Sequence, residues 1–186
     1  VGLAEVNGFN RFEITGTDAH SFLDRMLCGR VTRKAGRVGL GYLLNHHGML
    51  KGEATIANIP ASDRGPARVW YGSAAASELH DMDWLQAHLR TDEDVQIRSL
   101  TNDQTILVLA GPNARKVMQE VSRDDWSKDA FPWLSVRECF VGVAPATVMA
   151  VSFSGELGYE IYCQPQYLLR LATAIEEAGA DLGYRW

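Results

Sequence analysis

The stretch Ser154-Gly155-Glu156-Leu157-Gly158-Tyr159-Glu160-Ile161 holds the residues best arranged for chemistry. Two glycines bracket one carboxylate, and apolar, strand-like runs lie on either side at residues 146–153 and 159–163. Glycine has no Cβ and tolerates unusual backbone angles, so a flat ligand could approach a carboxylate placed there closely. Local chemistry alone leaves a plainer alternative open, a hairpin turn with a solvated glutamate. Other groupings exclude chemistry rather than offer it. His46 and His47 adjoin on a turn, where neighbours rarely converge on one ion, and no third ligand is close in sequence, which argues against a metal. Cys28, Cys139 and Cys163 are far apart and odd in number, without a Cys-x-x-Cys pair; they read as small core residues in a reducing compartment. There is no P-loop, no Gly-x-Gly-x-x-Gly after a strand and no Gly-x-Ser-x-Gly elbow. Gly36, Gly39 and Gly41 lie inside a strand pattern, so no dinucleotide or flavin fingerprint is read on this chain.

The elements that must position these residues follow from periodicity. Residues 9–15 alternate apolar and polar, a strand ended by Gly16. Thr17 or Asp18 then caps a helix with Ala19, Phe22, Leu23, Met26 and Leu27 on one face. Residues 37–44 and 49–59 form a hairpin about Asn45-His46-His47-Gly48, and residues 60–66 are a surface loop. Residues 67–71 return as a strand, small residues follow, and Ser77 caps a helix whose expected buried stripe is Leu79, Met82, Leu85 and Leu89. Residues 95–100 and 105–110 are two more strands, and Gly111-Pro112 opens a helix with Ala114, Val117, Met118 and Val121 buried. Strands at 136–141 and 146–153 lead into the glycine-bracketed stretch, and a last helix runs from Pro165 to Gly179. Frequent hairpins and irregular βαβ spacing make this an α+β protein, not a doubly wound parallel sheet.

At 186 residues the chain suits one large domain or two small lobes. With 46% hydrophobic and 22% charged residues it has an ordinary soluble mix. A net charge of −5 argues against nucleic acid, and the basic run from Arg25 to Arg37 reads as a solvated helix end and loop. No apolar run approaches the ~20 residues that span a bilayer, and Glu5 and Asn7 interrupt any signal-peptide pattern. The expected location is the cytoplasm, or the mitochondrial matrix if the source is eukaryotic. Val1 is not a methionine and residues 182–186 stop in mid-pattern, so the chain is expected to be a piece of a longer one.

Taken in order, several motifs resemble one family. They are Ile14-Thr15-Gly16-Thr17-Asp18-Ala19; Leu44-Asn45-x-x-Gly48 with an acid at Glu53; Ala110-Gly111-Pro112-Asn113-Ala114-Arg115; and Ser154-Gly155-Glu156-Leu157-Gly158-Tyr159-Glu160. This pattern resembles the folate-binding aminomethyltransferases, whose founding member is the T-protein of the glycine cleavage system. The run from Gly72 to Trp84, with Ser77-Glu78-Leu79-His80-Asp81, and the segment 115–120 are similar to the folate domain of dimethylglycine and sarcosine dehydrogenases. The resemblance covers the whole chain, residues 1–186, as the N-terminal part of the family domain. It implies intertwined α+β lobes without the family's closing C-terminal barrel, and tetrahydrofolate as cofactor. The implied activity is one-carbon transfer in a dimethylglycine dehydrogenase-like demethylating enzyme. T-protein-like transfer, or a non-catalytic regulatory relative, is the alternative.

The resemblance also implies roles. Glu53 falls at the family's catalytic acid, one methylene longer than the aspartate of T-proteins. Glu156 falls at the pterin-binding glutamate, Gly72 and Ser73 at the strand end whose backbone lies beside the pterin, and Tyr159 within the same cofactor-binding motif. Leu40 stands where T-proteins carry tyrosine and Ala74 where they carry asparagine, which points away from strict T-protein activity. An N-methyl or S-methyl donor and a flavin oxidoreductase domain or subunit are the implied partners, with FAD held off this chain. Without the barrel, the isolated chain is expected to bind tetrahydrofolate weakly.

Overall fold

A computed structural model describes residues 1–186. The chain divides into two compact units, Val1–Val6 with Asp103–Trp186, and Asn7–Asn102. The first unit is thus interrupted in sequence by the whole of the second. Each has one antiparallel sheet and two α-helices, and neither sheet closes into a barrel. The α+β expectation of two lobes therefore holds. No helix is long and apolar enough to cross a membrane.

The unit Asn7–Asn102 holds β2 (Phe9–Thr15), α1 (Ala19–Met26), β3 (Leu27–Cys28), β4 (Arg37–Leu44), β5 (Leu50–Ile59), β6 (Arg68–Ala74), α2 (Glu78–Ala87) and β7 (Gln96–Ser99). The sheet order is β3-β4-β5-β6-β2-β7. Alternation along the strands gives the sheet two different faces. Phe12, Ile14, Leu43, Ala54, Ile56, Val69 and Tyr71 share one face and form a core with Ala19, Phe22 and Leu23 of α1 and Leu85 of α2. The opposite face carries Leu40, Tyr42, Glu53 and Thr55, with Tyr42 directly across from Glu53 and Leu40 from Thr55.

Helix α1 starts at Asp18, but neither Thr17 nor Asp18 caps it with a side chain. The Asp94 N–H donates to the Asp18 carboxylate at 3.0 Å, while the Thr17 N–H and hydroxyl donate to the Asp94 carboxylate. This exchange ties the helix start to the loop before β7. Gly16 is required there: its φ is +109°, and a Cβ would lie 2.0 Å from the Asp94 carbonyl oxygen. Helix α2 follows a 3-10 turn at Ala75–Ser77, and Ser77 makes no side-chain cap. Of its expected stripe, Leu85 is buried and Met82 and Leu89 pack partly buried against the core, but Leu79 does not. Leu79 is 80% exposed, while Asp81 and Leu85 are buried.

The other unit begins with β1 (Gly2–Glu5), then β8 (Thr105–Ala110), α3 (Ala114–Val121), β9 (Val136–Val141), β10 (Ala144–Met149), β11 (Gly158–Cys163) and α4 (Leu168–Gly179). The order is β1-β8-β11-β10-β9. Leu107, Leu109, Tyr159, Ile161, Val148 and Val141 form the core with Val117 and Met118 of α3 and Leu171 and Ile175 of α4. Cys139 and Cys163 are buried as expected of core residues, but Cys28 is exposed, because β3 is a two-residue edge strand.

Candidate functional site

The glycine-bracketed stretch lies in the unit built on β8 and β11. Strand β10 ends at Met149, four residues earlier than the apolar run implied, so residues 150–157 form a loop rather than a tight turn. Both loop ends are pinned. The Ala150 N–H donates to the Ser135 carbonyl at 2.8 Å, and the Gly111 N–H donates to the Leu157 carbonyl at 2.9 Å. Gly158 pairs with Ala110. The Ala110-Gly111-Pro112 motif and the Glu156 motif are thereby neighbours on adjacent strands. Glu156 is exposed at the loop tip, and its N–H donates to Ser154 Oγ at 3.4 Å.

The two bracketing glycines serve different ends. Gly155 has φ +84° in open space, a conformation that L side chains rarely adopt. Gly158 is limited by room: a Cβ would sit 3.1 Å from the Val151 carbonyl oxygen. Tyr159 is a core residue, 0% exposed, with its ring against Trp126 and Phe131. Burial pushes its phenol up, against the opposing pull of Arg115. Its ring offers no surface to a ligand; it anchors the strand that follows Glu156.

Glu53 lies in the unit Asn7–Asn102, on the sheet face away from the helices. It is exposed, and cross-strand Tyr42 and the nearby Leu40 stand partly in solvent on the same face. Thr55 and Gly72 are paired partners, so Gly72 continues that face without a side chain. Charge at the other end of this face is already matched. Glu13 accepts from Arg68 at 3.1 Å and from Arg98 at 3.0 Å.

Ser73 points the opposite way. It is buried, and its hydroxyl donates to Asp81 Oδ2 at 2.5 Å while accepting from Asn10 Nδ2 at 2.7 Å. The Ser73 N–H donates to Asn10 Oδ1, and the Tyr71 hydroxyl donates to Asp81 Oδ2 at 3.0 Å. Burial first, then the Asp81 charge, drives the Tyr71 phenol far above its ordinary range. The Ser73 side chain thus belongs to a buried network and not to the open face. His46 and His47 sit on the β4–β5 turn, and no group of three metal-ligating side chains forms anywhere in the chain.

Along residues 1–186 the chain matches the family described as GCVT N-terminal domain. The chain belongs to that family. It is 33% identical over 184 residues to the mitochondrial dimethylglycine dehydrogenase of Rattus norvegicus, covering 98% of this chain and 21% of that protein. It is 30% identical over 185 residues to sarcosine oxidase subunit alpha of Rhizobium meliloti, covering 98% and 18%. Its fold matches the glycine cleavage system aminomethyltransferase T of Bartonella henselae with a TM-score of 0.80 at 19% identity, over 100% of this chain and 47% of that one. This GCVT N-terminal domain therefore spans about a fifth of the length of the two curated relatives.

Within this GCVT N-terminal domain, motif reasoning missed Asn10, Tyr71 and Asp81. A signal for Asp81 was present: it stands four residues before Leu85, a charged residue on the apolar side of a helix. A carboxylate there demands buried donors, and the alternate residues Tyr71 and Ser73 of β6 supply two.

Proposed function

We propose that this domain carries out tetrahydrofolate-dependent one-carbon transfer, as the folate domain of a dimethylglycine dehydrogenase-like demethylating enzyme. The observation that carries the reading is Glu53. It stands exposed on an open sheet face, opposite Tyr42 and beside Leu40, and on the adjacent strand Gly72, the partner of Thr55, leaves the face bare. An apolar, side-chain-poor surface with one carboxylate beyond the ion-paired Glu13 fits a flat heteroaromatic amine. The departures Leu40 and Ala74 favour the dehydrogenase branch over a T-protein.

Bound tetrahydrofolate would supply an amine nitrogen as nucleophile toward an iminium carbon. Glu53 would stabilise the positive charge that builds on that nitrogen as the new C–N bond forms, and would then accept the proton the nitrogen sheds. The π pair of the C=N bond would pass to the donor nitrogen; that nitrogen would then take the proton held by Glu53 and leave as the free amine with the pair of its remaining bond to the carbon, whose open valence a second amine nitrogen of the folate would fill, shedding its own proton. Glu156 accepts the paired N–H donors of an amino-pyrimidinone edge through its two oxygens. Tyr159 serves from the core, by holding the strand after Glu156. Oxidation of the N-methyl donor to the iminium belongs to a flavin oxidoreductase domain or subunit.

The test is Glu53→Gln in the full-length protein. It keeps shape and removes the proton acceptor, so transfer to tetrahydrofolate falls on the order of 10²-fold while folate affinity changes little. Unchanged transfer refutes the role.

A further inference from the structure

The pairing of β4 with β5 shifts just before Glu53. Leu43 pairs with Gly52 and Leu44 with Leu50, leaving Lys51 as the extra residue of a β-bulge. A bulge re-aims the side chain it carries. Regular alternation would put Lys51 on the open face with Glu53; instead its ammonium lies 4.4 Å from the centre of the Trp84 ring on α2 and contacts His80 Nε2. An ammonium can only donate, so His80 Nε2 accepts and the ring proton sits on Nδ1. That nitrogen faces Asp81 Oδ1 across a long 3.5 Å contact. Asp81 Oδ2 accepts from Ser73 and Tyr71 on β6. Gly52, the next residue, lies beside the same carboxylate: a Cβ there would be 3.8 Å from Asp81 Oδ1, in ordinary van der Waals contact.

We propose that Asp81 is a positioning residue for Glu53, acting through His80 and the bulged Lys51. Every donor in the chain Lys51–His80–Asp81 points toward the buried carboxylate, which thereby clamps the bulge to α2. The bulge fixes the register of β5. A slip by one residue would carry Glu53 from the open face to the helix face. The inference rests on the proposed role of Glu53.

Asp81→Asn tests the polarity of the relay. The amide oxygen takes the place of Oδ2 and keeps the Ser73 and Tyr71 hydroxyls. The amide NH2 then faces the His80 Nδ1 proton, two donors opposed. The ring proton moves to Nε2, where it opposes the Lys51 ammonium, and the bulge is released. The full-length protein is labelled with 15N-histidine, and His80 is assigned by the signal lost in His80→Phe. Expected are an Nδ1–H tautomer in the wild type and an Nε2–H tautomer in Asp81→Asn. A wild-type Nε2–H tautomer overturns the relay whatever the activity. One-carbon transfer is measured alongside, and falls about tenfold in Asp81→Asn and in Lys51→Met, the scale of a misplaced catalytic group. In a Glu53→Gln background neither substitution lowers transfer further. Independent losses in that background mean a merely structural role and refute the positioning. Lys51→Met lies at the surface, so it stands as the test should Asp81→Asn fail to fold. Should Glu53→Gln itself leave transfer intact, the proposed role of Glu53 falls, and the positioning role with it. Should it lower transfer while both Asp81→Asn and Lys51→Met leave transfer intact, only the positioning role falls.

Discussion

Ser73→Ala is the sharpest probe of the buried network. The Ser73 hydroxyl is the junction of that network: it accepts from Asn10 Nδ2 at 2.7 Å and donates to Asp81 Oδ2 at 2.5 Å. Removing it leaves the 0%-exposed Asp81 carboxylate with the Tyr71 hydroxyl and the long His80 contact. Asn10 Nδ2 keeps only the Ala74 carbonyl, at 3.4 Å. A hydrogen bond to a charged group contributes about 1.5–3 kcal/mol, and a buried donor left short of a partner costs about 1–3 kcal/mol. Asn10 retains part of its bonding, so a loss of about 3 kcal/mol is expected. Urea unfolding of the full-length protein, followed by a probe in residues 7–102, should show the midpoint falling on the order of 1 M. In an Asp81→Asn background the acceptor is neutral, and the same substitution should cost only about 1 kcal/mol. A loss below about 1 kcal/mol in the wild-type background, or equal losses in both, refutes the claim that a charge-assisted bond organises this network.

Three further expectations address other parts of the chain. Glu156→Gln, which leaves one acceptor where two donors are presented, should weaken tetrahydrofolate binding about ten- to hundredfold by calorimetry; unchanged affinity would make Glu156 a turn residue only. Gly158→Ala puts a Cβ 3.1 Å from the Val151 carbonyl oxygen and should disturb the Glu156 loop, weakening folate binding while β8 and β11 amides keep their hydrogen-exchange protection; loss of that protection would point to general unfolding instead. Hydrogen bonds from the Thr17 N–H and hydroxyl hold the Asp94 carboxyl below its usual range, so its stabilisation is complete above about pH 4 and is lost as pH falls through the lowered value. Asp94→Asn should therefore flatten the fall in urea midpoint as pH drops below about 4, and an unchanged slope would remove Asp94 from the acid response.

Local pattern by itself determined much of this chain. Alternation set β2 at its observed bounds, with Phe12 and Ile14 of residues 9–15 turned into the core, and the strand-like runs 37–44 and 136–141 set β4 and β9 at theirs. The order of the glycine and acidic motifs was enough to name the family. Tertiary structure decided what depends on distant partners. Strand β1 acquires its place through β8, more than a hundred residues later, and through Arg185 near the other end of the chain. On α2 composition favoured Leu79 for burial, yet Asp81 is buried, because the helix lies against two hydroxyls of β6 that satisfy a carboxylate. The run 146–153 looked like one strand, but its pairing with β11 ends at Met149; Ala150 still bonds Ser135 in line with β9, and the residues after it leave the sheet as the loop carrying Glu156. Tyr159 belonged to a binding motif by position, and the fold of β11 against Trp126 and Phe131 places it in the core. The bulge at Lys51 has no local signature at all. It exists because β4 and β5 slip past one another by one residue while Trp84 and His80 wait on the neighbouring helix, and those contacts are absent from any short window of sequence.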